Sequence, residues 1–149
     1  MDIDSFFGYS GGNETDLDIE MAQIKIYGLK DHLNPIKAQL SHVIHACVVE
    51  VLKYPPDKRA HRFFPMERDD FYLPAGRSDD YTIIEITMIE GRTVETKKQL
   101  IRKLFEDINR EVSISLQDIE ICILEAPKHN WGFRGKTGDE VELSYRIEV

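Results

Sequence analysis

The sequence of 149 residues lacks several features that would assign it to a class of protein at once. It has no run of 18 apolar residues that could span a membrane. Its first five residues carry neither the positive charge nor the apolar stretch of a secretory signal. It also has no stripe of basic residues with interleaved aromatic side chains, which argues against nucleic acid as a partner. We therefore expect one globular domain that meets neither a membrane nor nucleic acid.

Cysteine is scarce as well. The only two, Cys47 and Cys122, each lie inside an apolar segment. Two buried, reduced thiols fit this arrangement better than a disulfide does, and reduced thiols are typical of the cytoplasm. The sequence therefore predicts a cytoplasmic protein.

Acidic residues are concentrated near the beginning of the chain, whose formal net charge is −8. Residues 1–20 contain six acids and no base, namely Asp2, Asp4, Glu14, Asp16, Asp18 and Glu20. Such a segment has too few apolar groups to offset the entropy lost on ordering. We expect residues 1–20 to form a flexible acidic extension and residues 21–149 to form a single, nearly neutral domain.

Beyond the extension, two halves follow the same plan. In the first half, alternation over residues 23–27 predicts a strand, and residues 62–66 predict a second one. The helix between them is expected to start at Asn34 and Pro35, a cap residue followed by a proline. Tyr54-Pro55-Pro56 is expected to end it.

In the second half, residues 81–87 and 119–124 read as strands, and Thr93 is expected to cap a helix that runs to Val112. Alternation over residues 141–149 predicts a last strand. A shift of about 60 residues superposes the halves, with Ile24 on Ile84 and Lys37 on Lys97.

This duplication predicts an α+β fold, a doubled β-α-β unit with two helices on one face of a four-stranded sheet. The other face is expected to be bare and largely apolar, so that it needs a partner. Self-association follows from that.

Residues 129–140 combine Trp131, Phe133, three glycines and two cations between strand-like segments. Glycines widen the choice of backbone conformation, and aromatic side chains supply apolar wall. The pattern fits a loop that lines a pocket and, equally well, a hairpin with a buried tryptophan.

Four features together resemble the tautomerase superfamily over residues 22–149. They are the doubled unit, the Tyr54-Pro55-Pro56 segment, the Arg92-Thr93 junction before the second helix, and the Asn130-Trp131-Gly132-Phe133 loop. With Arg77-Ser78-Asp79, that loop is most similar to the malonate semialdehyde decarboxylase branch. The resemblance implies a homotrimeric barrel of three sheets, sites at subunit boundaries, a small carboxylate substrate and no cofactor.

Members of the superfamily use an amino-terminal proline as their base, whereas this sequence has Ala22 after Met21. If translation starts at Met21, removal of that methionine leaves a primary amine on Ala22, a usable base near neutrality. The resemblance assigns Arg92 to binding the substrate carboxylate. It assigns Trp131 and Phe133 to the apolar wall of the site.

Arg134 and Arg77 are further candidates for contact with an anionic substrate, although Arg77 is equally suited to pair with Asp79 or Asp80. Glu90 and Lys58 stand where the decarboxylase-like members have an arginine and an acid. This difference disfavours a decarboxylase.

Two other motifs are set aside. Gly135-Lys136-Thr137 resembles the end of a phosphate-binding loop, but a strand pattern follows it where such a loop needs a helix. His42 and His45 lack a third metal ligand at a recognisable spacing, so we expect surface or interface histidines and no metal site.

Three functions remain open at this point. The first is a tautomerase-like isomerase acting on a 2-oxo or enol acid, weakened by the missing proline. The second is a catalytically silent trimer that binds small molecules or protein partners. The third is a ferredoxin-like regulatory domain that dimerises.

Overall fold

The computed structural model describes residues 22–141 of the chain. The predicted acidic extension and residues 142–149 of the predicted last strand lie outside the described residues. The main elements are β1 (Ala22–Leu29), α1 (Lys30–Leu52), β2 (His61–Met66), β3 (Thr82–Ile89), α2 (Val94–Val112) and β4 (Ile119–Ala126). A short hairpin follows, formed by β5 (Gly132–Phe133) and β6 (Lys136–Thr137). Short 3-10 turns cover Arg68–Asp70, Leu116–Asp118, Lys128–Asn130 and Gly138–Glu140.

The four long strands form one mixed sheet in the order β2-β1-β3-β4. β1 pairs in parallel with β2 and antiparallel with β3, and β3 pairs in parallel with β4. The starts of β1 and β2 therefore meet the ends of β3 and β4 at one end of the sheet, which we call the Ala22 end. The opposite end, where β1 finishes, is the Leu29 end.

Both helices cover the same face of the sheet, as predicted. Alternate strand residues, among them Ile24 and Ile86, share one buried cluster with Leu40 and Ile44 of α1 and with Leu104 of α2. Burial of this apolar surface is the main force that holds the two layers together. Among residues 22–141, no helix is long and apolar enough to cross a membrane.

The outer face of the sheet, away from the helices, is mixed rather than largely apolar, which corrects the prediction. Tyr27 stacks on Phe64 with ring centroids 4.8 Å apart and donates a 2.8 Å hydrogen bond to the Oε1 atom of Glu85. Glu85 is also the register partner of Lys25. β3 is rich in isoleucine, so its composition predicts an apolar strand. Its alternation, however, directs Glu85 to the outer face.

The duplication predicted at a spacing of about 60 residues is confirmed in detail. Ala22–Leu29 and Thr82–Ile89 have the same length and the same burial pattern. The 3-10 turns Arg68–Asp70 and Lys128–Asn130 are related by the same spacing, and so are the ends of the two helices.

The predicted start of the first helix is wrong. α1 begins at Lys30, one turn before Asn34, and contains Pro35. The earlier start buries Leu33 completely. Since Pro35 removes only a hydrogen bond to the first helical turn, the gain from burying Leu33 outweighs that loss.

The two cysteines differ in environment. Cys47 is buried between the helices, where burial and the neighbouring Asp107 raise the pKa of its thiol to about 12. Cys122 is exposed on the edge strand β4, which corrects the prediction that both thiols are buried. An alternating edge strand directs every second side chain away from the core. Both cysteines are free thiols.

Candidate functional site

Ala22 opens β1 at the Ala22 end and is only 4% exposed. Its register partner in β3 is Met88, which is completely buried. The backbone nitrogen of Ala22 therefore belongs to a strand that starts in apolar surroundings. An amine placed there would be poorly hydrated, which disfavours its charged form.

Arg92 is held just beyond the end of β3, at the same end of the sheet. Gly91 adopts a φ of 141°, a conformation that favours glycine, and turns the chain out of the strand. The Arg92 Nη1 atom then donates a 3.1 Å hydrogen bond to the carbonyl oxygen of Ile89. Arg92 is 5% exposed. A desolvated guanidinium fixed in this way is well suited to bind a carboxylate.

The turn after Arg92 is closed by the predicted helix cap. The Oγ1 atom of Thr93 accepts a 3.1 Å hydrogen bond from the backbone nitrogen of Thr96. An ion pair joins the first helical turn of α2 to β4, since the Lys97 Nζ atom lies 2.7 Å from the Oε1 atom of Glu125. These contacts fix the backbone on both sides of Arg92.

The loop with Trp131 leaves the sheet beside Arg92. The backbone nitrogen of Glu90 donates to the carbonyl oxygen of Ala126 over 3.0 Å, so the segments after β3 and β4 depart side by side. The loop then forms the β5–β6 hairpin, closed by a two-residue turn in which Arg134 and Gly135 have φ values of 52° and 84°. This is the backbone that two-residue hairpins prefer.

The hairpin presents its aromatic residues on one side. Trp131 and Phe133 are half-buried and stack with ring centroids 5.7 Å apart and planes inclined by 16°. Arg134 is exposed at the tip. Of the two interpretations left open by the sequence, the hairpin is therefore confirmed, although its tryptophan is only half-buried.

The structure adds a basic segment that sequence analysis missed. Residues 58–62 precede or open β2, and the carbonyl oxygen of Ala60 accepts a 2.9 Å hydrogen bond from the backbone nitrogen of Ile24. A cavity of about 370 Å³ is lined there by Gln23, Arg59, Ala60, His61 and Arg62. The signal was present as a run of basic residues, but only the parallel pairing of β2 with β1 brings it next to Ala22.

The histidines near this cavity are neutral at neutral pH. Burial, together with the nearby His45 and Arg59, lowers the pKa of His61 to about 4. His45 was expected at a surface or an interface, but it is buried within the chain, with its Nε2 atom 2.7 Å from the carbonyl oxygen of Pro56. Burial also lowers the pKa of His45. Positive charge around the cavity therefore comes from Arg59 and Arg62.

Potential metal ligands are dispersed in the described structure. Between Ala22 and Val141, no three His, Cys, Asp or Glu side chains are grouped so that they could hold a metal ion.

Arg77 lies at the Leu29 end, away from the other candidates. Its Nη2 atom donates to the Oε1 atom of Glu120 over 3.3 Å, and its guanidinium lies over the ring of Tyr81. Asp79 pairs with Arg68 and not with Arg77. The Nη1 and Nη2 atoms of Arg68 donate hydrogen bonds of 3.1 and 2.7 Å to its two carboxylate oxygens. The length of a strand, about 25 Å, separates the two ends.

Within one chain, then, the structure brings Ala22, Arg92 and the hairpin residues to one end of the sheet. That hairpin contributes Trp131, Phe133 and Arg134. It does not bring Arg77 to them.

Comparisons with known proteins identify relatives of this chain. The family model described as "Tautomerase enzyme" matches residues 58–134. The probable tautomerase YusQ of Bacillus subtilis (strain 168) is 28% identical over 109 residues, which cover 70% of this chain and 86% of that protein. A 2-hydroxymuconate tautomerase of Pseudomonas putida is 35% identical over 57 residues, covering 38% of this chain and 90% of its own length. That relative is about as long as one repeat.

Solved structures give the same fold. The FG41 malonate semialdehyde decarboxylase superposes with a TM-score of 0.69 at 25% identity, covering 78% of this chain and 92% of its own. A fused 4-OT that forms an asymmetric trimer superposes with a TM-score of 0.70 at 23% identity, covering 79% and 97%. The second likeness concerns the fold alone.

Proposed function

Because the chain belongs to the tautomerase enzyme family, we propose that it is a cofactor-free isomerase that interconverts the keto and enol forms of a small 2-oxo carboxylic acid. The observation that carries the proposal is the meeting of Ala22, Arg92 and the Trp131 hairpin at one end of the sheet. A buried cation and an apolar wall at the same end of the sheet suit a carboxylate attached to a small carbon skeleton.

Arg92 would hold the substrate carboxylate in this proposal. A guanidinium binds a carboxylate through two parallel hydrogen bonds, and exclusion of water strengthens them. Arg59 and Arg62 line the neighbouring cavity and raise the local positive potential, which draws in an anionic substrate. Trp131 and Phe133 would exclude water from the reacting atoms.

The amine of Ala22 would move the proton in a chain that begins at Met21 and loses that residue. It takes a proton from the carbon next to the carbonyl group and, as the resulting ammonium ion, gives that proton to the carbonyl oxygen, which yields the enol and restores the neutral amine. Enclosure beside Met88 favours the neutral amine that this step needs. A primary amine replaces the secondary amine of proline, so we expect weak activity.

Self-association would complete the site. The fold is shared with a fused 4-OT that forms a trimer, and the outer face of the sheet exposes apolar groups such as Phe64 and Leu124. We propose a homotrimer with sites at subunit boundaries, where Arg77 could contribute only from a neighbouring chain. The free thiol Cys122, exposed on β4, suits a reducing compartment, and we propose the cytoplasm.

The decisive experiment follows the decay of phenylenolpyruvate by ultraviolet absorbance, with chains that begin at Met1 and at Met21. We expect activity above the buffer rate only for the chain that begins at Met21, and a higher rate for its Ala22→Pro variant. Arg92→Ala should raise KM and lower kcat/KM about a hundredfold, because it removes the buried cation. Arg102→Ala is the matched control, since Arg102 is an exposed cation on α2.

The alternative is a catalytically silent trimer that binds small carboxylates on the same scaffold. The alanine in place of the proline base favours it. If neither the Met21 chain nor its Ala22→Pro variant exceeds the buffer rate, the isomerase proposal fails and this alternative replaces it.

A further inference from the structure

The indole nitrogen of Trp131 stands out among the polar atoms of the described residues. Trp131 is half-buried as a residue, but its Nε1 atom is enclosed and has no hydrogen-bond acceptor within residues 22–141. An indole N–H can only donate, and a buried donor without an acceptor is costly to the folded state. A purely apolar wall would not need a nitrogen at this position.

The surrounding structure holds the backbone that carries the ring. The backbone nitrogen of Trp131 donates to the carbonyl oxygen of Lys128 over 3.1 Å, and its carbonyl oxygen accepts from Gly138 over 2.8 Å. The stacked ring of Phe133 supports the indole from one side. An enclosed donor without an acceptor calls for a partner, and a bound ligand can supply one.

The position of the hairpin indicates the chemical class of the ligand. Arg92 and the hairpin follow strands that end side by side, joined by the hydrogen bond from Glu90 to Ala126. A carboxylate that is paired with Arg92 has further lone pairs to accept from a second donor. The chain offers its only tryptophan at this place.

We propose that the Trp131 indole N–H donates a hydrogen bond to the carboxylate of the acid bound at the Ala22 end, as a specificity-determining contact beside Arg92. The inference rests on the proposed function, since it assumes that an anionic acid binds at this end. Because the nitrogen is enclosed, the ligand reaches it through a small shift of the ring or the hairpin. Binding must therefore change the surroundings of the indole.

The single tryptophan makes this change directly observable. Emission from Trp131 is recorded in the full chain and in the chain that begins at Met21, during titration with pyruvate and with pyruvamide. Pyruvamide has nearly the same shape but no negative charge. We expect a saturable change in emission with pyruvate and at least tenfold weaker binding of pyruvamide. Equal changes with both probes, or none with pyruvate, would overturn the inference.

A second measurement isolates the N–H group itself. Replacing Trp131 by β-(3-benzothienyl)alanine keeps the two fused rings and puts a sulfur atom in place of the N–H. We expect KM for phenylenolpyruvate to rise about tenfold, with kcat within twofold, because a uniform binding contact is lost. An unchanged KM would refute the contact. If this variant fails to fold, the emission titration decides alone.

The two proposals can fail separately. If the emission responds to pyruvate as expected but no acid is isomerised, the Trp131 contact stands and the proposed enzymatic function is refuted. If phenylenolpyruvate is isomerised but pyruvate causes no change in emission, the proposed function stands and the Trp131 contact is refuted.

Discussion

Single glycines decide whether the candidate site can form. Gly138 lies where the hairpin returns to the turn at Lys128–Asn130, and its backbone nitrogen donates to the carbonyl oxygen of Trp131. A Cβ atom at this position would collide with the carbonyl oxygen of Lys128 and lie 3.2 Å from the Cβ atom of Trp131. Only glycine permits the close approach that holds the tryptophan in place.

We therefore expect Gly138→Ala to lower the free energy of unfolding by about 1–3 kcal/mol, because the two backbone segments must separate. The emission of Trp131 should shift toward that of a solvated indole. Gly132→Ala is the matched control in the same hairpin, since its nearest neighbour would be the carbonyl oxygen of Lys136 at 3.8 Å. Urea unfolding and emission spectra of both variants test this, and equal effects of the two substitutions would contradict it.

At the scale of elements, the two halves differ most where each first strand passes into its helix. In the first half, α1 starts directly after β1, and His32 lies in its first turn. In the second half, four residues, Glu90, Gly91, Arg92 and Thr93, separate β3 from α2. The later start of α2 leaves Arg92 outside the helix, at the end of the sheet.

The cap at Thr93 maintains this later start. Thr93→Ala should cost about 1 kcal/mol of stability, because the backbone nitrogen of Thr96 loses its acceptor. For a domain of this size, that corresponds to a fall in Tm of about 2–4 °C. Thr93→Ser retains the hydroxyl group and should stay close to the parent protein. Calorimetry of the three proteins checks the expectation, which a Thr93→Ala variant as stable as the parent would refute.

At the scale of the whole molecule, stability should fall in mild acid. The folded chain keeps His61 neutral, with a pKa of about 4, whereas the unfolded chain has the ordinary value of 6.5. Between these values the unfolded state binds more protons, so the stabilising contribution present above pH 6.5 is lost progressively as the pH falls toward 4. His45, whose pKa is also lowered, acts in the same direction.

Urea unfolding between pH 7.5 and 5 measures this effect. Each of these two histidines contributes a slope of at most about 1.4 kcal/mol per pH unit. His61→Asn should reduce the slope, whereas His42→Gln, at an exposed position on α1, should change it less. A parent protein with equal stability at both pH values would show that the histidines do not remain neutral.

The proposed trimer is also tested on the whole molecule. Light scattering should give three times the chain mass of 17.3 kDa at micromolar concentration. Leu124→Arg, at a 47% exposed position on the outer face of β4, should weaken the assembly by placing charge in an apolar contact. Leu116→Arg is the control, since Leu116 is 53% exposed in the 3-10 turn before β4. A stable monomer of the parent chain would refute the trimer.

Over residues 22–126, the sequence by itself determined the four long strands, the two helices and their duplication. Strand alternation, the Thr93 cap and the end of α1 near Tyr54 all arise from local periodicity and local backbone chemistry, which a linear sequence records. The start of α1 was wrong because Asn34 and Pro35 are a local signal, whereas the burial of Leu33 depends on residues far along the chain.

Only the tertiary structure decided which residues lie at the same end of the sheet. The pairing of β2 with β1 brought Arg59 and His61 to the Ala22 end, and strand direction left Arg77 at the opposite end. These outcomes depend on strand order and register, which are set by packing among distant segments and have no local signature in the sequence.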